Sequence, residues 1–306
     1  MLARPGLPSF DYVRASTADQ VVRLLEEHRQ AARLLMGGTD LFPQMRDGAL
    51  QPDIVVDVKH LPGMRDVIFE RGQGLTVGAA VTMNEIARHP AVQAHYALLA
   101  EAASAVGSYQ VRNRATIGGN LCNASPCADT ALAALVLEGR VVLNGPGGER
   151  EVPVEAFFLG PGQTALGAAE FVTAVRFPPP VRGACGRHLK LSRNKLGDLS
   201  LVSVAVWGFP DGTASRYQFR IGLGAVAPTV VRARQAEQAL AAGPPGEEAL
   251  ALAAERARRA ASPIDDVRAS AGYRRAMVHN LTVRGLREVW ARLCDAGPAP
   301  RLGGRR

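Results

Sequence analysis

Residues 34–45 read LLMGGTDLFPQM, and their reading decides the fold. Leu34, Leu35 and Met36 end a compact apolar run that begins at Arg33 and stops at Gly37-Gly38. Helical spacing resumes at Leu41 and carries through Met45. Outward from this junction the alternation continues. Residues 10–14 form a short extended run, Thr17 can cap a helix over 18–28, and 54–58 read as another buried strand. A β-α-β-α-β rhythm of this kind predicts a small parallel sheet. At its centre, Gly37-Gly38-Thr39-Asp40 turns a strand into a helix and presents backbone N–H groups, a common way to grip a phosphate. The same string also serves in an ordinary strand-to-helix turn.

A second segment has the same chemistry. Thr116-Ile117-Gly118-Gly119-Asn120 places two glycines between a hydroxyl and an amide, about eighty residues after the first turn. Two such turns can converge on one pyrophosphate, which points to a nucleotide cofactor. A third glycine string, Gly222-Leu223-Gly224-Ala225-Val226-Ala227, satisfies G-x-G-x-x-A but lies within an extended run and is followed by Pro228. No acidic residue sits at the distance a ribose contact needs, so it reads as a glycine-broken strand.

From about 65 to 178 strand signals dominate, with helices expected at 82–88 and 91–106; Thr82 and Glu85 have capping-box spacing. Phe177-Pro178-Pro179-Pro180 marks the best internal boundary, because consecutive prolines continue neither a helix nor a central strand. Extended runs at 188–192, 201–209 and 215–226, with turn chemistry at 194–198 and 211–212, predict an antiparallel meander. Helices are expected over 230–241, 247–260 and 273–293, then a flexible tail over 294–306. The division expected is 1–180 (itself split into 1–60 and 61–180) and 181–293.

Composition excludes several classes. The 306 residues are 47% hydrophobic and 21% charged, an ordinary globular mix. No apolar run approaches the ~20 residues that span a bilayer, and the N-terminus lacks a signal-peptide apolar region. Four cysteines do not make a disulfide scaffold, and a reducing cytoplasm is the expected location. The formal charge of +8 raises nucleic acid, but the arginines are interspersed with acids and only 5% of residues are aromatic. The six histidines and four cysteines show no zinc or iron–sulfur spacing, and no G-x-S-x-G elbow occurs.

The stretch QVRNRA (110–115), followed by TIGGN and LCNASPCADT, resembles the flavin-binding signature of the xanthine dehydrogenase family. LLMGGTDLFPQM resembles that family's first FAD loop. GLGAVAPTVVRARQAE and SPIDDVRASAGYRR resemble the C-terminal domain of its separate flavoprotein subunits, as in the carbon monoxide dehydrogenase medium subunit. The resemblance runs in order from about residue 10 to 293.

It implies an α+β chain: a vanillyl-alcohol oxidase-like FAD-binding domain of two subdomains, plus a C-terminal antiparallel sheet with helices. It further implies FAD as the cofactor of this chain. Molybdopterin is then expected on a large partner subunit and two [2Fe–2S] clusters on a small one, in a dimer of heterotrimers. Electrons would pass from the clusters through FAD to a terminal acceptor.

Carried over by position, Leu34, Leu35, Met36, Gly37, Gly38, Thr39, Asp40 and Leu41 match the first FAD loop. Thr116, Ile117, Gly118, Gly119 and Asn120 match the second. Asp129 matches an FAD contact, Val106 and Val172 align with positions flanking the isoalloxazine ring, and Lys190 aligns with a lysine near the flavin. Val106 stands where animal enzymes have an aromatic, and Leu199 falls where some members place one over the flavin. No catalytic residue and no metal ligand is assigned to this chain. Two other readings remain: a stand-alone FAD oxidase of a small molecule, active without partners, and a basic nucleic-acid binder with salt-sensitive affinity and no flavin.

Overall fold

The computed structural model describes residues 6–194, 197–212, 215–243 and 245–295. The first layer is built from β1 (Asp11–Arg14), α1 (Ala18–His28), β2 (Ala32–Leu35), α2 (Leu41–Arg46) and β3 (Ile54–Asp57). Thr17 starts α1 by accepting the Gln20 N–H at 3.2 Å, and Val21, Val22 and Leu25 form the helix's buried stripe. β3 is buried at every position and pairs in parallel with β1 and β2, in the order β1-β3-β2. The parallel sheet expected from the alternating sequence is therefore present.

The second layer is an antiparallel sheet with helices inserted between its strands. In chain order it holds β4 (Val67–Glu70), β5 (Gly74–Gly78), α3 (Met83–Arg88), α4 (Pro90–His95), α5 (Ala97–Ala105), α6 (Tyr109–Arg112), α7 (Ile117–Cys122) and α8 (Asp129–Val136). There follow β6 (Arg140–Gly145), β7 (Gly148–Pro153), α9 (Val154–Phe157), a small hairpin β8 (Phe158–Gly160) and β9 (Gln163–Thr164), and β10 (Phe171–Phe177). The sheet order is β4-β5-β10-β6-β7. The Thr82–Glu85 capping box forms with both of its bonds.

The single helix expected over 91–106 is instead two, broken at Tyr96 (φ −134°, ψ 44°). Tertiary anchoring explains the break. The Tyr96 hydroxyl donates to Pro178 O at 2.8 Å, and its ring packs against Phe177 and Phe69. Apolar periodicity runs through both helices and gives no sign of that anchor.

The C-terminal half contains β11 (Cys185–Leu191), β12 (Val202–Pro210), β13 (Tyr217–Gly224), β14 (Val231–Arg232), α10 (Arg234–Ala241), α11 (Glu247–Ala260) and α12 (Ala271–Asp295). The meander β11-β12-β13-β14 is antiparallel as expected, but residues 231–232 are strand rather than the start of a helix. Their pairing with Gly222 and Leu223 holds them extended, and α10 begins at Arg234. α12 continues through Cys294 and Asp295, beyond the expected start of the tail, and the rest of that tail lies outside the described residues.

β12 is buried on both faces because α8 covers one and α12 the other. α8, apolar after Asp129 and Thr130, is itself buried at every residue, as a helix without a polar face must be. Gly222, in the rejected nucleotide string, serves this contact: a Cβ there would stand 2.7 Å from Leu132 Cδ1. α8 thereby locks the meander to the two N-terminal layers and brings its first residue, Asp129, to the groove between them.

Candidate functional site

The two glycine turns, 81 positions apart, meet in space. A Cβ on Gly37 would lie 2.2 Å from Arg114 O, so the first turn packs directly on the backbone entering the second. The Thr116 hydroxyl reaches Met36 Sδ at 3.8 Å, and Asn123 Nδ2 donates to Asp40 Oδ1 at 3.4 Å. Gly38 has φ +77°, the left-handed region that a side chain resists, and that turn bends the chain from β2 into α2.

The turns use their N–H groups differently. Among the described residues, no protein acceptor takes the N–H of Gly37, Gly38 or Thr39. In the second turn the N–H groups of residues 117–120 are all occupied. Ile117 N donates to Val81 O (3.1 Å), Gly118 N to Ala79 O (2.9 Å) and Asn120 N to Thr116 O (2.9 Å). Gly119 N donates to the Thr116 hydroxyl at 3.2 Å, so Thr116 is a helix cap. Gly118 packs against Ala79, where a Cβ would come within 2.6 Å. The two turns therefore differ: the first offers donors, and the second offers a rigid wall with the open backbone of Gly119.

Both turns border a cavity of about 780 Å³ between the layers, large enough for a cofactor. From the first turn, Leu34, Met36, Gly37, Gly38, Thr39, Asp40 and Leu41 line it; from the second, Thr116, Gly119 and Asn120. Val106, Asp129, Val172 and Lys190 complete the expected residues on its wall. Leu35, Ile117 and Gly118 do not line it. Leu35 packs into a small core with Met45 and Val55, and Ile117, the first residue of α7, is fully buried.

At one end stands a polar cluster. Asp129, 4% exposed, takes Lys190 Nζ on Oδ2 at 2.7 Å and the Ser200 hydroxyl on Oδ1 at 3.1 Å. Lys190 Nζ also donates to Ala105 O at 2.8 Å, the last residue of α5. Cys122 and Cys127 line the wall as well; desolvation raises both thiols, Cys122 to about 12, which keeps them protonated and poor nucleophiles. Leu199 stands at the mouth, 56% exposed.

Ser200 and His188, both buried against Asp129, are absent from the residues expected from sequence. The available signal was strand alternation, since His188 and Lys190 are two apart on β11 and share a face.

This chemistry fits a dinucleotide: unclaimed N–H donors on the first turn, a cavity running from there to the Asp129–Lys190 pair, and a glycine on each wall. The model of the FAD binding domain in molybdopterin dehydrogenase matches residues 8–180, more than half of the chain. The chain belongs to the FAD-binding subunits of the carbon monoxide dehydrogenase and xanthine dehydrogenase family of molybdenum hydroxylases. The model of the CO dehydrogenase flavoprotein C-terminal domain matches residues 187–289.

Among its relatives, a carbon monoxide dehydrogenase medium chain from Hydrogenophaga pseudoflava is 35% identical over 93% of this chain and 98% of its own. A nicotine 6-hydroxylase medium subunit from Paenarthrobacter nicotinovorans is 30% identical over 94% and 99%. Among solved structures, a carbon monoxide dehydrogenase from Hydrogenophaga pseudoflava that lacks the Mo-pyranopterin moiety matches with a TM-score of 0.89 at 36% identity. That match covers 94% of this chain and 99% of the other. The chain is thus an FAD-binding subunit of an oxidoreductase. Among the described residues no helix is long and apolar enough to cross a membrane.

Proposed function

We propose that this subunit carries electrons from [2Fe–2S] clusters on a small partner, through FAD, to a terminal acceptor, while substrate is oxidised at molybdenum on a large partner. The observation that carries the reading is the cavity itself, which joins unpaired turn amides at one end to a buried lysine–carboxylate pair at the other. Nothing in its wall is arranged as a nucleophile with a general base, whereas donors and a cation are what a redox cofactor needs from its host.

The residues divide the work. The N–H groups of Gly37, Gly38 and Thr39 hold the pyrophosphate, and Gly119 lets it approach the backbone. Asp129 accepts a hydroxyl or ring N–H, and Val106 and Val172 flank the isoalloxazine. Bound FAD accepts electrons singly and yields them as a pair. Lys190 then places a positive charge beside the ring that becomes negative on reduction. Relatives acting on carbon monoxide and on nicotine share this fold, which supports placing substrate choice on a partner subunit.

We also propose a dimer of heterotrimers working in the cytoplasm, and a boundary near Pro180 between FAD-binding and C-terminal domains. Affinity purification of the native complex, followed by metal and flavin analysis, tests the reading. Molybdenum, iron and FAD together, with no substrate turnover by the isolated chain, are the expected result. Turnover by the isolated chain, or a native complex lacking both metals, would contradict it.

A further inference from the structure

Behind the Asp129–Lys190 pair lies a buried group to which the flavin reading gives no role. The His188 side chain is 1% exposed, and its Nε2 has no hydrogen-bond partner. Nε2 faces Asp129 Oδ1 across 3.6 Å, a few tenths of an ångström beyond a real hydrogen bond. A buried polar nitrogen without a partner is costly and calls for an explanation. The ring is not there for want of space: its backbone N–H is pinned to Glu101 Oε2 at 2.9 Å, and Glu101 Oε1 in turn holds Arg187 at 2.6 Å. The strand is therefore anchored there, and the imidazole lies next to a carboxylate that already serves Lys190 on one oxygen and Ser200 on the other.

We propose that His188 is a positioning residue that couples one proton to the charge of the flavin through Asp129. When negative charge builds in the cavity beside Lys190, His188 takes a proton from solvent at Nε2 and closes on Asp129 Oδ1. Oδ1 then carries a charge-assisted bond, the carboxylate's hold on Lys190 weakens, and the ammonium turns its field toward the cavity. The one bond that forms in this chain is N–H at His188 Nε2, its proton released by hydronium or buffer acid in the solvent; the electrons come from the reductant. The inference rests on the flavin occupying this cavity.

The surrounding charges suit a group poised to switch. Burial pushes the His188 imidazole below its ordinary value, Asp129 and Glu101 pull it up, and Lys190 and Arg187 push it down. These groups come from α8, α5 and β11. On the β12 side His188 pairs with the uncharged Ala205, and from α12 only Glu288 reaches the cluster, through Arg187. At neutral pH the ring is uncharged while the cavity is neutral, and added negative charge raises its affinity for a proton.

The test is an equilibrium reductive titration of the FAD-loaded full chain between about pH 5.5 and 8, comparing wild type with His188→Gln and His188→Leu. At the alkaline end wild type and H188Q coincide. At the acid end wild type should favour reduced over oxidised flavin by about tenfold more than either variant, ~30 mV for a two-electron couple. A merely structural role predicts curves offset but parallel at every pH, and that result overturns the proposal.

Should both variants lose flavin, the ring of His188 is titrated by NMR in oxidised and reduced wild type. A higher pKa in the reduced protein is expected, and equal values overturn the proposal. The visible flavin bands of wild type at about pH 8 report separately on the FAD reading: their absence defeats that reading, and this inference with it, whereas their presence with parallel curves defeats this inference alone.

Discussion

The turns at 37–40 and 116–120 look interchangeable as strings, each with paired glycines beside a threonine, yet they do different work. In the first, the N–H groups of Gly37, Gly38 and Thr39 have no protein acceptor among the described residues, while in the second those of 117–120 go to Val81, Ala79 and Thr116. A glycine pair therefore does not by itself define a phosphate grip. What decides is whether neighbouring backbone already satisfies the donors, and in the second turn the chain around 79–81 does so. One turn binds and the other braces, and both depend on the contact of Gly37 with Arg114 O.

The most damaging change should be Gly37→Ala. Its Cβ would stand 2.2 Å from Arg114 O and force the turns apart. A stability loss of about 3 kcal/mol, with a Tm drop on the order of 5 °C, is expected in thermal melts, together with loss of flavin. Gly119→Asp should separate binding from folding. The new Cβ meets only the Thr116 hydroxyl at 3.0 Å, but the charge opposes the pyrophosphate. FAD affinity should fall by roughly a hundredfold with the melt little altered; stoichiometric flavin in this variant would refute the role of the second turn.

Outside both turns, Lys190→Met removes the cation and keeps the stem. Relative affinity for reduced flavin should fall about tenfold, lowering the midpoint potential by ~30 mV. Thr116→Ala, the mildest, deletes a cap rather than a ligand. It should cost about 1 kcal/mol in denaturant melts, with FAD affinity following stability only.

A pH effect sharpens the contrast further. Because burial lowers His188 from its ordinary 6.5, the unfolded chain takes a proton before the folded one as pH falls. Stability held above pH 6.5 should decline below it in apo wild type and decline less in His188→Gln.

Much of this was legible in the chain. The βα alternation around 34–45 gave the parallel sheet, Thr82 and Glu85 gave a helix start, and the proline run fell between β10 and β11. Local patterns of this kind carry their own physical cause. The break at Tyr96, the strand at 231–232 and the enclosure of His188 were not legible, because each depends on a partner more than eighty positions away or on pairing across the sheet. The occupied amides of Ile117 and Gly118 belong to the same class, since their acceptors lie on a segment some forty residues earlier.

Backbone hydrogen exchange of the apo and FAD-loaded chain, read at single residues, tests the division of labour most directly. The amides of Gly37, Gly38 and Thr39 should exchange freely in the apo protein and slow by roughly tenfold or more with FAD, while those of 117–120 should be protected in both. Equal protection of the two turns in the apo protein, or FAD protection confined to 117–120, would contradict the account.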